Sequence, residues 1–252
     1  MSVLERKGGY ELQNSTALIL LLLTTMIAAG CSGPQIPGTY PPTEGSYGTL
    51  TGNVTDAVSG LKLWSGTAVL NHQSVPITEG SFQISNIPYG TYTLTIQKPF
   101  YQQLTMKVVV NHKDITLTDL KLQPVYNTSE IDLFARLVHA EARGESYTGQ
   151  VAVAATILNR VLDPDYPNTL HGVIHDVVIV NGKKYYQYEP VLNGTIYQPA
   201  GENAVDAVYD ALAGWDPSLG ATGFFAPAKV SGSSWVWTRP MTVTIGNHRF
   251  FK

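Results

Sequence analysis

The segment Val138-His139-Ala140-Glu141-Ala142-Arg143-Gly144-Glu145 holds the residues best placed to do chemistry. Ile131, Phe134, Leu137 and Val138 recur at helical intervals, and Glu141 follows the last two by four and three residues, so its carboxyl continues an apolar face. Ser129 can cap the start of this helix and Gly144 can end it, which puts Glu141 in the last turn near the negative end of the helix dipole. Burial and dipole both disfavour ionisation, so its pKa is expected to be raised. A raised carboxyl suits a general acid that keeps a proton near neutral pH and delivers it to a leaving oxygen. The same spacing also fits a Glu that lies along the surface or pairs with Arg143 or Arg160.

Other titratable groups offer less. His171 and His175 lie four apart beside Asp176, yet no Glu follows the first His and no third ligand stands at metal-site spacing, so surface or capping histidines are expected. His139 points away from Glu141 by the helical angle, and His248 beside Gly246-Asn247 reads as structural. Neither metal nor cofactor is expected.

The elements that must position Glu141 follow from composition. With 252 residues, 44% hydrophobic and 14% charged, the chain can build more than one core. Residues 1–125 balance seven Lys/Arg against seven Asp/Glu, and 126–252 carry nine against twelve, so the net charge of -3 sits in the second half. No basic patch argues for nucleic acid. Arg6 and Lys7 precede an apolar run from Ala17 through Ala29 that is short for a membrane span, and Ala28-Ala29-Gly30 lead into Cys31, the chain's single cysteine. This arrangement resembles a bacterial lipoprotein signal over 1–31, which implies lipidation at Cys31, export, and a membrane-anchored place in the cell envelope. Ala28 stands where that signal more often has Leu, and Glu5 and Glu11 dilute the positive start. Residues 32–47, rich in Pro, Gly, Ser and Thr, read as a linker with a reach of roughly 50 Å at about 3.1 Å per residue.

Residues 48–124 alternate in apolar character, with turns at Glu79-Gly80, Pro88-Tyr89-Gly90 and Asn111-His112-Lys113-Asp114, which predicts an all-β sandwich. Gly52-Asn53-Val54-Thr55-Asp56, Glu79-Gly80-Ser81-Phe82-Gln83-Ile84 and Ile87-Pro88-Tyr89-Gly90-Thr91-Tyr92 resemble the carboxypeptidase regulatory-like, transthyretin-like sandwich. Those motifs are turn and core residues, so they imply a fold and a spacer or adhesion role rather than chemistry.

From 126 to 252 the pattern is α+β. A second helix, capped by Ser146 or Thr148, carries Val151, Ala154, Ala155, Leu158, Val161 and Leu162 and stops at Asp163-Pro164. Further helices are expected over 169–176 and 202–213, and strands over 235–238, 241–245 and 248–251, the last two joined by Gly246-Asn247. The blocks Glu141-Ala142-Arg143-Gly144-Glu145, Gly149-Gln150-Val151-Ala152-Val153-Ala154-Ala155, Ile157-Leu158-Asn159-Arg160-Val161, Gln187-Tyr188-Glu189-Pro190-Val191, Trp235-Val236-Trp237-Thr238-Arg239 and Ile245-Gly246-Asn247-His248-Arg249-Phe250 resemble, in this order, the cell wall hydrolase family of the spore cortex-lytic (SleB) type. Tyr188 and Glu189 stand where relatives tend to have Phe and Ser, and Ala226 stands where Asn before Pro is usual, which touches fine specificity and not class.

The resemblance implies a lysozyme-like, lytic-transglycosylase-like domain that cleaves peptidoglycan glycan at the MurNAc-GlcNAc bond, with a catalytic Glu similar in position to Glu141. If a second carboxylate is needed, Glu145 and Glu189 are candidates, each of which also reads as solvated or structural. Sugar binding needs flat apolar surfaces beside hydrogen-bonding groups, for which Gln187 and Tyr188 are the first choice and Phe224 and Trp237 the next. The competing readings are a non-catalytic peptidoglycan-binding envelope protein and a metal-dependent wall amidase.

Overall fold

The computed structural model describes residues 46–252, so the lipoprotein-like leader, Cys31 and nearly all of the 32–47 linker lie outside the described residues. Among the described residues no helix is long and apolar enough to cross a membrane.

Seven strands come first: β1 (Tyr47–Asp56), β2 (Ser65–Leu70), β3 (Gln73–Thr78), β4 (Ser81–Pro88), β5 (Gly90–Gln97), β6 (Leu104–Val110) and β7 (Asp114–Leu122). Alternation drives them: Leu50, Val54 and Asp56 of β1 are buried at every second position, as are Leu94 and Ile96 of β5 and Val108 and Val110 of β6. Two separate sheets were expected from the pattern, whereas hydrogen bonding links all seven strands in the order β6-β5-β2-β3-β4-β1-β7. The joint between β3 and β4 is a single pair, Thr78 with Ser81, and the two edge strands β6 and β7 come into contact, so the array is folded around its core. At Gly52 a Cβ would stand 2.4 Å from the Phe82 ring, so only glycine lets that ring cross β1.

The second part begins with α1 (Thr128–Ala142) and α2 (Tyr147–Leu162), followed by α3 (Leu170–Ile174), the hairpin β8 (Val177–Val180) and β9 (Lys183–Tyr186), α4 (Glu189–Asn193) and α5 (Glu202–Ala213). It closes with β10 (Gly223–Phe225), β11 (Met241–Ile245) and β12 (His248–Phe251) in the order β10-β12-β11. Asn127, not Ser129, caps α1: its side chain accepts from the Ser129 and Glu130 amides, and the Glu130 carboxylate reaches back to the Asn127 amide. Ser146 caps α2, and Gly214, at φ 107°, ends α5 as expected. The stretch 235–238 is a 3-10 turn rather than a strand.

The two parts are joined by more than the chain. The Trp64 amide donates to the Ala213 carbonyl at 2.8 Å, which satisfies one of the carbonyls left open at the end of α5. Phe100 stacks on Tyr126 at 5.9 Å, and the apolar core is continuous between the parts. Gly214 is required by packing as well as by φ, since a Cβ there would meet Ser65 Oγ at 2.6 Å and Lys98 Nζ at 2.9 Å.

Lys98 is buried at this junction, where its ammonium donates to Ser65 Oγ at 3.1 Å, and burial pushes its pKa down from 10.5 to about 8. Between those values the folded chain binds fewer protons at this site than the unfolded chain, so stability contributed here rises with pH. Urea unfolding of wild type and Lys98→Met at pH 8 and pH 10 should therefore show the difference between them changing by roughly 2 kcal/mol in favour of wild type as the pH rises. A pH-independent difference would mean that Lys98 is solvated in the folded chain.

Candidate active site

Glu141 lies in the last turn of α1, as the spacing predicts, with its side chain half-buried. Its carboxyl pKa is raised to about 7, first by burial and then by the negative charge of Glu189, while Arg160 and Lys229 pull in the other direction. The group thus carries its proton to near neutrality, poised at the pH where a general acid works well.

Arg160 of α2 is held at three points. It is 8% exposed, its Nε donates to the Thr222 carbonyl at 2.5 Å, and its guanidinium lies over the rings of Tyr166 at 5.0 Å and Tyr188 at 5.2 Å. Thr222 is fixed by a turn wound about Asp216. One carboxylate oxygen accepts from the Ser218 amide and hydroxyl, and the other from the Gly220 amide and from Asn159 Nδ2, which also donates to the Ala221 carbonyl. Asn159 and Arg160, adjacent on α2, therefore hold the same turn from two points. The adjacent polar pair on a largely apolar helix is the sequence signal for this role, whereas spacing alone offers Arg160 only as an ion-pair partner for Glu141.

The two other carboxylates have different tasks. Glu145 Oε2 accepts from the Asn247 amide at 2.9 Å and Oε1 from Asn247 Nδ2 at 3.1 Å, which pins the β11–β12 turn to the loop after α1. Burial works against its ionisation, but those two hydrogen bonds and the charges of His248 and Lys229 prevail, and its pKa falls below the usual value. Glu189 is exposed at the start of α4 and acts on Glu141 as a nearby charge.

The expected sugar-binding set is divided. Tyr188 is 2% exposed with its ring under Arg160, so it offers no free face to a sugar; the reading of 187–190 as a polar loop missed that Tyr188 is the inward residue at the start of α4. Gln187, beside it, remains half-exposed, with its amide donating to the Asp176 carbonyl. Phe224 and Trp237 lie on opposite faces of the three-stranded sheet. Phe224 pairs with Phe250 and packs on His248, whereas Trp237 meets Phe225 edge-on at 4.9 Å, lies under Arg249 and donates from Nε1 to the Ser231 carbonyl. A single glycan chain cannot use both as one platform. Cys31 lies outside the described residues.

The histidines are placed without a common centre. His139 Nδ1 accepts from the Gly201 amide at 3.2 Å on the side of α1 away from Glu141, and His171 and His175 stack on each other at 4.1 Å. His248 is 8% exposed, and burial leads its pKa down.

The Cell Wall Hydrolase family matches residues 144–251. The spore cortex-lytic enzyme of Bacillus cereus is 44% identical over 127 residues, covering 50% of this chain and 46% of that protein, and the spore cortex-lytic enzyme of Bacillus subtilis is 42% identical over 125 residues, covering 50% and 38%. The chain thus spans less than half the length of these curated relatives. Among solved structures, the catalytic domain of the germination-specific lytic transglycosylase SleB from Bacillus anthracis is 43% identical, with 51% of this chain and 98% of that one covered and a TM-score of 0.45.

The hydrogen bonds to Glu145 give that carboxylate a structural task. Glu145→Ala should lower unfolding stability by about 1–2 kcal/mol, because the Asn247 amide and side chain lose their acceptor. Glu145→Gln keeps one acceptor oxygen and should retain most of both stability and activity. A Glu145→Gln enzyme with normal stability and no turnover would instead make Glu145 a second catalytic carboxylate.

Proposed function

The C-terminal part of this chain belongs to the cell wall hydrolase family, and from that premise we propose that it is a peptidoglycan glycosidase that cleaves the glycan strand at the MurNAc-GlcNAc bond, with Glu141 as general acid and then base. The observation that carries this reading is the half-buried Glu141 carboxyl, held protonated to about pH 7 beside a fixed Arg160. Glu141 gives its proton to the glycosidic oxygen, the bond from that oxygen to the anomeric carbon breaks, and an oxocarbenium-like centre forms on the muramic residue. In lytic transglycosylation the resulting carboxylate takes the proton of the muramic 6-hydroxyl, whose oxygen closes a 1,6-anhydro ring, so Glu141 is reprotonated without water.

The engagement of Glu145 by Asn247 favours this single-carboxylate scheme over a two-carboxylate hydrolysis. The half-exposed Gln187 and Phe224 are the side chains we retain for sugar contact.

The rest of the chain gives the catalytic part its place. We read 1–31 as a lipoprotein signal with Cys31 as the lipidated residue and 32–47 as a tether, which makes this an exported protein held at the cell envelope. The β-rich part, read as a folded-over regulatory-like sandwich, stands between tether and catalytic part.

Digestion of purified sacculi by the full chain, with released muropeptides read by mass spectrometry, tests the proposal. Wild type should release anhydro-muramic ends, and Glu141→Gln should lose at least about 100-fold in rate. Reducing muramic ends would assign hydrolysis. No release by the wild type would leave the non-catalytic wall-binding reading, and cleaved stem peptides with loss of activity to chelator would assign an amidase. Because the acid form of Glu141 is depleted above its pKa, kcat/KM should fall as pH rises through about 7.

A further inference from the structure

Two polar atoms close to Glu141 have no hydrogen-bond partner among the described residues: Nη1 of Arg160 and the hydroxyl of Tyr188. Both side chains are more than nine-tenths buried, at 8% and 2% exposed. Buried donors of this kind are costly, and a fold that keeps two of them together needs a reason. Neither is a product of looseness. Arg160 spends Nε on the Thr222 carbonyl and is held over two rings, so its guanidinium is oriented while the buried Nη1 is left without a partner. Tyr188 sits at the start of α4 with its ring fixed against that guanidinium.

The groups that surround these donors are few. Glu141 is faced by Glu189 from α4, Arg160 from α2 and Lys229 from the turn after β10; Tyr188 is faced by Arg160, Glu141, Tyr166 and Asp176. Of the acceptors in this group, Asp176 and Glu189 stand on the chain immediately before and after the hairpin segment that carries Tyr188, and Glu141 alone lies within the electrostatic reach of both orphan donors while changing its charge in the proposed reaction. In the resting structure neither donor is hydrogen-bonded to Glu141, and the neutral carboxyl, a weak acceptor, draws neither toward it. Once the proton has gone to the leaving oxygen, the carboxylate is a strong acceptor, and a rotation of the Glu141 side chain toward Arg160 and Tyr188 would give it charge-assisted partners.

We propose that Arg160 Nη1 and the Tyr188 hydroxyl form a donor pair reserved for the carboxylate form of Glu141, positioning residues that receive its charge after proton delivery and aim it for the returning proton. The inference rests on the reading of Glu141 as acid and base. Burial, opposed by Arg160 and helped by Glu141, pushes the Tyr188 phenol up to about 12, so it stays a donor through the working pH range. The device explains how a carboxyl held protonated by its surroundings can still give its proton away: the site that raises its pKa in one state contains the donors that offset the charge in the next.

Tyr188→Phe in the full chain removes one oxygen and keeps the ring. Because that oxygen has no partner in the resting fold, the melting temperature should be unchanged or slightly raised. The rate on sacculi should fall about tenfold, the alkaline limb of kcat/KM should move up by roughly one pH unit, and the Glu141 carboxyl followed by carbon-13 NMR in the free protein should titrate higher by a similar amount. Arg160→Lys, which keeps the charge and loses the fork, should also lower the rate. A Tyr188→Phe chain that melts lower while its limb and its Glu141 titration stay put would overturn the inference and make Tyr188 a packing residue. Full activity in Glu141→Gln would sink the underlying acid-base reading instead, so the two failures can be told apart.

Discussion

The second part of this chain depends on one constraint: a carboxyl must be kept where its charge is costly, yet not so costly that it can never form. Glu141 meets it by its position in the last turn of α1, where burial and the Glu189 charge raise its pKa to about 7 and Arg160 and Lys229 stop the rise. That balance needs an Arg160 that does not collapse onto Glu141 as a plain ion pair. The Thr222 carbonyl and the rings of Tyr166 and Tyr188 hold the guanidinium back, and the Asp216 turn holds Thr222. The ionisation of Glu141 therefore depends on a turn some eighty residues further along the chain.

Glu141 and Glu145, four residues apart, show how donors decide what a carboxylate becomes. Glu145 follows the end of α1 and receives two hydrogen bonds from Asn247, which favour its charged form and bind it to the fold. Glu141 has no such bond in the resting structure, and burial favours its neutral form. The same residue type is structural in one place and chemically available in the other because the charged state is satisfied beforehand in one case and left to the reaction in the other.

What could be read from the sequence follows how local each determinant is. The inward direction of Glu141, the span of α5 and its Gly214 stop, and the turn at Gly246-Asn247 are set by spacing within one or two turns, and the residues displayed them. Asn127 was missed as the cap of α1 because Ser129 is an equally good capping type, and only the reciprocal Glu130 contact distinguishes them. The site is legible to a lesser degree. Tyr188 sits among polar neighbours, and its burial comes from Arg160 on another helix; β10 has three residues, too few for alternation to reveal that Phe224 and Phe225 face opposite ways. The Trp235-Val236-Trp237 alternation imitates a strand, yet these residues turn back to pack on Phe225 and Phe251.

The least legible feature is the junction between the two parts, since it joins residues about 150 positions apart. At one end of α5 the Gly201 amide is bound by His139 of α1, two residues before Glu141; at the other end Ala213 accepts from Trp64 and Gly214 packs on Ser65 and Lys98. A 12-residue helix is about 18 Å long, so α5 is a strut from the β-rich part to the helix that carries Glu141. A strut fixed at both ends makes the β-rich part a mount for the helix of Glu141, joined to it through hydrogen bonds and packed side chains as well as through the chain.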